Sequence, residues 1–340
     1  MGLPIKCKLK LDNRYAKGKR NLITDVPGVR VGQVTLNDEE KDIHTGVTAI
    51  FPHSENIFRH KAAAGVSVIN GFGKSAGLIQ IEELGNIETP IIMTNTFGVG
   101  TALNALTRYM LEQNEDIGAT TCTVNCVVTE CNDGELNDIR GMHITEADVR
   151  KALETAGPDF EEGAVGGGTG MICMGKKGGI GSSSRIVELD GKPYTIGAIV
   201  MSNFGVLGNL RINGKRISAE LGEKTHDQGS IIMVIGTDIP LSDRQLRRMA
   251  KRATVSLGRV GSYLGTGSGD IAVAFSNGNI IPHYSKTKVL QGGYLFENEM
   301  DTVFEATAET VEEAIISSLY HADGMTGIRG KTVRGLKDYI

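Results

Sequence analysis

Apolar and β-branched residues recur along the chain in short runs, which polar or glycine-containing segments separate. Runs of this kind, bounded by turn residues, are typical of buried β-strands. The pattern therefore predicts strands over residues 45–51, 64–70, 91–95, 121–129, 194–201 and 271–275, and another that begins at Ser230. Residues 21–32 are predicted as strand, turn and strand, because Pro27 and Gly28 favour a turn.

Between the strands, apolar residues three and four positions apart predict amphipathic helices. Ser242 and Gln245 form a capping-box pattern, and the apolar residues after them share one face: Leu246, Met249, Ala250, Ala253 and Leu257. Helices are also predicted from Thr96, from Thr145 and over residues 307–319. Strands and helices alternate irregularly, which argues against a doubly wound sheet. The sequence shows no repeat and no linker, so a single domain is favoured.

The step from Gly229 to Ser230 joins a polar loop, predicted over residues 211–229, to a strand that reads as buried. A serine at the first position of such a strand has a fixed place, and the preceding glycine lets the backbone bend sharply. This arrangement suits an enzyme that cuts its own chain before Ser230 and then uses that serine as an N-terminal nucleophile. An ordinary loop-to-strand junction would have the same two residues.

Charge and cysteine content narrow the class of protein. The chain has 340 residues and a formal net charge of −4, so neither nucleic acid nor an anionic membrane is an expected partner. No run approaches about 18 apolar residues, and residues 1–6 lack the apolar region of a secretory signal. An odd number of cysteines at irregular spacing fits reduced thiols in a cytoplasmic protein: Cys7, Cys122, Cys126, Cys131 and Cys173.

A metal site is the less favoured interpretation of the cysteines. The seven histidines are scattered and do not repeat at ligand spacing. Cys122 and Cys126 lie within the strand predicted over residues 121–129, where their side chains would share one face. The sequence therefore predicts that neither a metal nor a cofactor is needed.

Several polar motifs accompany Ser230 in a fixed order along the chain. They are Glu130-Cys131-Asn132-Asp133-Gly134-Glu135, Gly166-Gly167-Gly168-Thr169-Gly170, Ser202-Asn203-Phe204-Gly205 and Gly267-Ser268-Gly269-Asp270. As an ordered set they resemble the DmpA family of self-processing serine aminopeptidases (peptidase family S58), which includes the β-peptidyl aminopeptidases. The resemblance runs from Asn21 to about Asn279, and more loosely to the C-terminus.

The resemblance implies a fold and an assembly. The fold class is α/β, a four-layer α/β/β/α sandwich of the DmpA and ornithine acetyltransferase type, which is similar to the N-terminal-nucleophile enzymes. One domain would be built from both pieces of the cut chain, residues 1–229 and 230–340. The family resemblance also implies a homo-oligomer, often a tetramer.

Four residues carry the predicted catalytic chemistry. After the cut, Ser230 would have its own α-amine as a base, with a reference pKa of about 7.7–8.0. Ser268 and Asp270 stand two apart at a strand entrance and so point the same way. The resemblance implies that Ser268 contacts the nucleophile, that Asp270 supports the relay, and that Asn203 donates to the oxyanion. A Ser/Asp turn and a strand-end cap are the structural alternatives for these residues.

Two glutamates are predicted to bind substrate. Glu130 is the candidate for holding the substrate's ammonium group, although a structural salt bridge would explain it nearly as well. The family commonly has an aromatic residue where this chain has Glu135, and often a glutamate where it has Asp270. A pocket with Glu135 would tolerate a polar or basic group.

These residues predict an N-terminal-nucleophile aminopeptidase, a hydrolase that acts on short peptides, amides or esters with a free amine. The first alternative is an acyltransferase of the ornithine acetyltransferase type. Those enzymes use threonine as the nucleophile, so Ser230 counts against it. The second is a processed but non-catalytic binding protein, against which the intact Ser268, Asp270 and Asn203 argue.

Overall fold

A computed structural model describes residues 10–217, 227 and 229–340 of the chain. Its longer strands and their short partners are β1 (Arg30–Asp38), β2 (Ile43–Phe51), β3 (His60–Gly71), β4 (Asn86–Ile87), β5 (Ile91–Asn95), β6 (Val127–Cys131), β7 (Ile172–Cys173), β8 (Lys176–Lys177), β9 (Gly179–Leu189), β10 (Lys192–Asn203), β11 (Arg211–Ile212), β12 (Lys215–Arg216), β13 (Ser230–Thr237), β14 (Gly269–Pro282), β15 (Met325–Gly327) and β16 (Lys331–Val333). The α-helices are α1 (Leu78–Leu84), α2 (Val99–Gln113), α3 (Glu146–Glu154), α4 (Asp243–Lys251), α5 (Ala253–Arg259) and α6 (Met300–His321).

Two sheets form the centre of the structure. A four-stranded sheet has the order β1-β2-β5-β6, and a six-stranded sheet has the order β4-β3-β14-β13-β10-β9. The strands β5 and β6 are parallel, as are β13 and β14, whereas β13 pairs with β10 in the antiparallel sense. The central position of β13 explains its apolar sequence, because a strand that is buried on both faces needs no polar alternation.

The two faces of β13 enter different cores. Ile232 and Val234 belong to a core that also contains Val47 and Ile92 of the four-stranded sheet. Ile231, Met233 and Ile235 belong to a second core, shared with α4, α5 and α6. The helices α2 and α3 contact the four-stranded sheet. The order of layers is therefore helices, sheet, sheet and helices, which confirms the predicted four-layer α/β/β/α sandwich.

The predicted strand at the start of residues 21–32 is wrong. A 3₁₀ turn, Ile23–Asp25, occupies this place, and the strand β1 begins only at Arg30. The carboxylate of Asp25 accepts the backbone N–H of Arg20 at 2.9 Å, and the hydroxyl of Ser182 accepts that of Ile23 at 2.8 Å. Such side-chain acceptors offer the backbone an alternative to a strand ladder.

The strand predicted over residues 121–129 is displaced. The observed strand β6 runs from Val127 to Cys131, because the carbonyl of Asp116 accepts several N–H groups in a turn that ends at Thr121. Cys122 is exposed and Cys126 is buried, so the two do not share a face as predicted. Glu130 lies within β6 rather than in a loop.

A strand that the apolar pattern does not predict, β9, lies in the glycine-rich part of the chain. A Cβ atom built on Gly181 would overlap the backbone of α6 at Ala314 and Ser318. The helix therefore lies directly on the strand, and small residues replace the usual apolar alternation. This close contact explains why periodicity fails here.

The helix predictions fare better. The predicted capping box is present. The hydroxyl of Ser242 accepts the backbone N–H of Gln245 at 3.2 Å, and the side-chain oxygen of Gln245 accepts the backbone N–H of Ser242 at 3.1 Å. The last long helix, α6, begins at Met300 and not at Thr307, and it is buried on most of its surface. No helix within the described ranges is both long and apolar enough to cross a membrane.

Part of the loop predicted over residues 211–229 can be compared with the structure. It contains the short hairpin of β11 and β12. Residues 218–226 and 228 lie outside the described residues, as do residues 1–9 with Cys7.

Candidate active site

The ends of three neighbouring strands meet at one edge of the six-stranded sheet. Ser230, the first residue of β13, pairs with Asn203 at the end of β10 and with Gly269 at the start of β14. Ser268 and Asp270 flank that glycine in the sequence. The four predicted catalytic residues, which come from three separate parts of the sequence, are thus brought together.

The Gly229–Ser230 peptide lies beside a backbone donor of β14. The N–H of Gly269 lies 3.1 Å from the carbonyl oxygen of Gly229 and 3.3 Å from the hydroxyl oxygen of Ser230. The hydroxyl and the carbonyl that it would attack are therefore close neighbours. A donor at this position also polarises the carbonyl, and it would stabilise negative charge on that oxygen.

Both glycines at this junction are required by space. A Cβ atom on Gly229 would overlap the carbonyl oxygen of Asn203, and one on Gly269 would lie 2.6 Å from the carbonyl oxygen of Phe72. The latter would also stand 3.0 Å from the hydroxyl oxygen of Ser230. Close backbone approach, rather than a turn, explains the glycine before Ser230.

The amide of Asn203 is held at both ends. Its Oδ1 accepts the N–H of Ile172 at 2.8 Å, and its Nδ2 donates to the carbonyl of Asn132 at 2.9 Å. An amide NH₂ has two hydrogens, so one remains for a further acceptor. The side chain is buried at the sheet edge beside Ser230, where a fixed donor could stabilise an oxyanion.

A buried lysine that sequence reasoning missed supports Asn203 from behind. The ammonium of Lys177 donates to the carbonyls of Met171 at 2.8 Å and Gly178 at 2.7 Å. The peptide between Met171 and Ile172 thus accepts from this lysine and donates to Asn203. Burial lowers the pKa of Lys177 to about 7, while nearby Asp133 acts in the opposite direction. The sequence did contain a signal for this role, namely a lysine within a glycine-rich run.

Ser268 and Asp270 form a buried pair. The hydroxyl of Ser268 donates to Oδ1 of Asp270 at 2.6 Å, and both side chains are inaccessible to solvent. Oδ2 of Asp270 has no hydrogen-bond partner among the described residues. Burial raises the pKa of Asp270 to about 6, the charge of Asp227 adds to that rise, and the bond from Ser268 opposes it. An unsatisfied buried acceptor at a strand entrance is available to receive a proton.

The raised pKa of Asp270 predicts a pH-dependent effect on stability. The folded pKa of about 6 exceeds the ordinary value of 3.8, so the stability that the protonated carboxyl contributes is lost as pH rises through about 4 to 6. The amide side chain of Asp270→Asn does not ionise, so the variant does not lose this stability as pH rises. In an uncut Ser230→Ala background, the variant should gain about 1–3 kcal/mol relative to its parent between pH 4 and pH 8.

Urea unfolding of the two proteins at several pH values measures this gain. The uncut background keeps the new amine of Ser230 from adding a charge near the carboxylate. A difference between variant and parent that does not change with pH would contradict the assignment.

Glu130 lies on the β14 side of Ser230. Its buried carboxylate accepts the N–H of Lys74 at 2.7 Å and the hydroxyl of Thr96. A Cβ atom built on Gly73 would lie 3.6 Å from Oε1 of Glu130 and 4.0 Å from Cα of Gly269, so the carboxylate stands close to the site. Within the described chain, no lysine or arginine forms an ion pair with it, which leaves the salt-bridge alternative without support there.

A cavity of about 690 Å³ opens on the β10 side of the junction. Its lining includes Asn203 and Gly229 together with Glu135, but not Glu130. The carboxylate of Glu135 forms an ion pair with Lys331. The two predicted substrate-binding glutamates are thus separated, one on either side of the nucleophile.

The cavity lining also contains residues that sequence reasoning missed. Lys331, Arg334 and Tyr339 come from the C-terminal segment, where the family resemblance is loose. Nothing in the local sequence connects this segment to Ser230, and only the fold brings it there.

Comparison with known proteins identifies the family of this chain. Residues 21–333 match the model of peptidase family S58. The β-peptidyl aminopeptidase BapA of Sphingosinicella microcystinivorans is 38% identical over 346 residues, which cover 94% of this chain and 86% of that protein.

Two solved structures are similar along nearly their whole length. The PH0078 protein from Pyrococcus horikoshii OT3 superimposes with a TM-score of 0.92 at 51% identity, covering 97% of this chain and 94% of the other. The second is the L-aminopeptidase D-Ala-esterase/amidase from Ochrobactrum anthropi, which is described as a prototype for the serine aminopeptidases and a variant of the Ntn hydrolase fold. It superimposes with a TM-score of 0.89 at 38% identity, covering 96% of this chain and 93% of the other.

Proposed function

The chain belongs to peptidase family S58, and from this premise we propose that it is a self-processing serine aminopeptidase with Ser230 as its N-terminal nucleophile. Its substrates are short peptides, amides or esters that carry a free amine. The observation that carries the proposal is the N–H of Gly269, which lies within hydrogen-bond distance of both the Gly229 carbonyl and the Ser230 hydroxyl.

Self-cleavage begins at the Gly229 carbonyl. The hydroxyl oxygen of Ser230 attacks the carbonyl carbon, and the hydroxyl proton passes to the Ser230 nitrogen as the C–N bond breaks. Water then hydrolyses the resulting ester, which yields fragments 1–229 and 230–340 of a single domain. The donor on Gly269 favours this step, because it stabilises the charge that develops on the carbonyl oxygen.

Substrate hydrolysis reuses the same groups. The α-amine released on Ser230 accepts the proton of its own hydroxyl, and the oxygen attacks the substrate carbonyl. Asn203 donates to the oxyanion with its remaining N–H. The leaving amine takes up the proton, and water hydrolyses the acyl ester. The Ser268–Asp270 pair positions and polarises the nucleophile from the β14 side.

We expect a free substrate amine to be required, because Glu130 would be its partner. Acetylation of the amine removes the charge and leaves a buried carboxylate uncompensated. The value of kcat/KM for an amino-acid p-nitroanilide should exceed that of its N-acetyl form by about 30- to several-thousand-fold, equivalent to roughly 2–5 kcal/mol.

Two variants assign this preference to a residue. Glu130→Gln should greatly reduce it, whereas Glu135→Gln, across the nucleophile, should preserve it. Equal rates on both wild-type substrates would remove the ammonium-binding role from Glu130. A preference for the acetylated form, with acetyl transfer to ornithine faster than hydrolysis, would instead favour the acyltransferase.

Assembly and location complete the proposal. The enzyme is a homo-oligomer, and the exposed apolar side chains of Val289, Leu290, Tyr294 and Phe296 offer a surface for subunit contact. A monomeric mass from light scattering would contradict this.

The enzyme acts in the cytoplasm, which agrees with the unbridged state of the exposed Cys122.

A further inference from the structure

The cavity beside Gly229 and the carboxylate of Glu130 lie on opposite sides of Ser230. The first borders β10 and the second borders the start of β14, with β13 between them. A substrate whose ammonium group meets Glu130 and whose carbonyl meets Ser230 would extend beyond the scissile bond toward the cavity. The cavity volume of about 690 Å³ is ample for one or two amino-acid residues.

The charges of the cavity favour an anion. Lys331 and Arg334 line it, and Glu135 forms an ion pair with the lysine. Arg334 is exposed, and its guanidinium has no ion pair or side-chain hydrogen bond to any residue that the structure describes. The ammonium of buried Lys176 lies 3.4 Å from the ring centroid of Tyr339, another lining residue.

We propose that this cavity binds the free carboxylate at the C-terminal end of a short peptide substrate, with Arg334 as its main partner. An arginine guanidinium matches a carboxylate through two parallel hydrogen bonds, whereas an amide or anilide cannot accept them in the same way. The inference rests on the proposed aminopeptidase function and adds a substrate class: dipeptides and tripeptides with an unblocked C-terminus. Lys331, restrained by Glu135, borders the same subsite.

The enzyme itself would supply another carboxylate with the required chemistry. Self-cleavage creates a new C-terminus at Gly229, which itself lines the cavity. We favour the substrate as the source of the bound carboxylate. Its carboxylate occupies the cavity only while its carbonyl lies at Ser230, so binding there affects which substrate is selected. The fragment's own terminus would occupy the cavity permanently and leave substrate selection unaffected.

The test compares leucyl-glycine with leucyl-glycinamide, which differ only in the terminal charge. Wild type should favour the free acid by about 10- to 100-fold in kcat/KM. Arg334→Gln should bring that ratio close to one, and Arg334→Lys should restore part of it. Lys337→Gln is the matched control and should keep the full ratio. Lys337 is an exposed lysine that pairs with Asp323 and does not line the cavity.

Leucine p-nitroanilide distinguishes failure of the inference from failure of the function. Hydrolysis of the anilide with a wild-type ratio near one, or a ratio that Arg334→Gln leaves unchanged, overturns the subsite alone. If Arg334→Gln lowers the melting temperature of the cut enzyme but not of the uncut Ser230→Ala chain, with the ratio unchanged, the ligand is the fragment's own terminus. Failure to hydrolyse any of the three substrates or their β-amino-acid counterparts overturns both proposals.

Discussion

Ser230→Ala should leave the chain whole and reduce aminopeptidase activity by at least about 10⁴-fold. The methyl group has no oxygen to attack the Gly229 carbonyl, so the cut does not occur. Without the cut, position 230 has neither a nucleophile nor a free α-amine to serve as its base. One substitution therefore removes both the activation step and the chemical step.

Mass spectrometry and a p-nitroanilide assay on the same preparation measure the two losses. Circular dichroism of the variant verifies that the sheet has formed around the buried Ser230 position. Ser285→Ala, which changes an exposed serine on a loop, is the control and should be cut and active. Normal processing of Ser230→Ala would place the scissile bond elsewhere.

Asn203→Ala should lower kcat by about 10²- to 10³-fold, with a smaller effect on KM. The lost N–H would act on the oxyanion, whose charge develops only in the transition state. The substitution also leaves the N–H of Ile172 and the carbonyl of Asn132 without their present partner. Some loss of stability should therefore accompany the loss of rate.

Rates for Asn203→Ala must be referred to the cut fraction, because the variant also alters the surroundings of the Gly229–Ser230 bond. Titration of the active enzyme with an acylating inhibitor gives that fraction. Asn277→Ala is the matched control, since its side chain donates to the carbonyls of Pro27 and Pro52 at the far end of β14. A fall in kcat of less than tenfold per active site would remove Asn203 from the oxyanion site.

The strand that begins at Ser230 and the Ser268–Asp270 pair were predictable because both depend on local periodicity. A buried run follows Ser230 without a break, and residues two apart at a strand entrance must face the same way. Their proximity to Asn203 rested on the family resemblance. Periodicity alone predicts strands but not the order in which they pair.

Other parts of the fold depend on contacts that no local pattern encodes. The strand β9 is rich in small residues because α6 lies directly against Gly181. Glu130 and Glu135 are near in sequence, yet Glu130 lies within β6 whereas Glu135 lies in the turn that follows it. In that turn, the N–H groups of Leu136 and Asn137 donate to the Asp133 carbonyl. That turn sends the two carboxylates to different sides of Ser230.

The residues that support the site from a distance were the hardest to foresee. Lys177 acts on Asn203 through the intervening Met171–Ile172 peptide, a relation that exists only in three dimensions. Arg334 reaches the cavity from the end of the chain. Sequence spacing gives no measure of either contact, since both depend on how the glycine-rich loop and the C-terminal segment fold against the sheet edge.

The intact mass of the purified protein under denaturing conditions tests the central claim most directly. Cleavage before Ser230 predicts two species, residues 1–229 and residues 230–340, which travel as one particle under native conditions. A fully active preparation that shows only the mass of the uncut 340-residue chain would contradict the account.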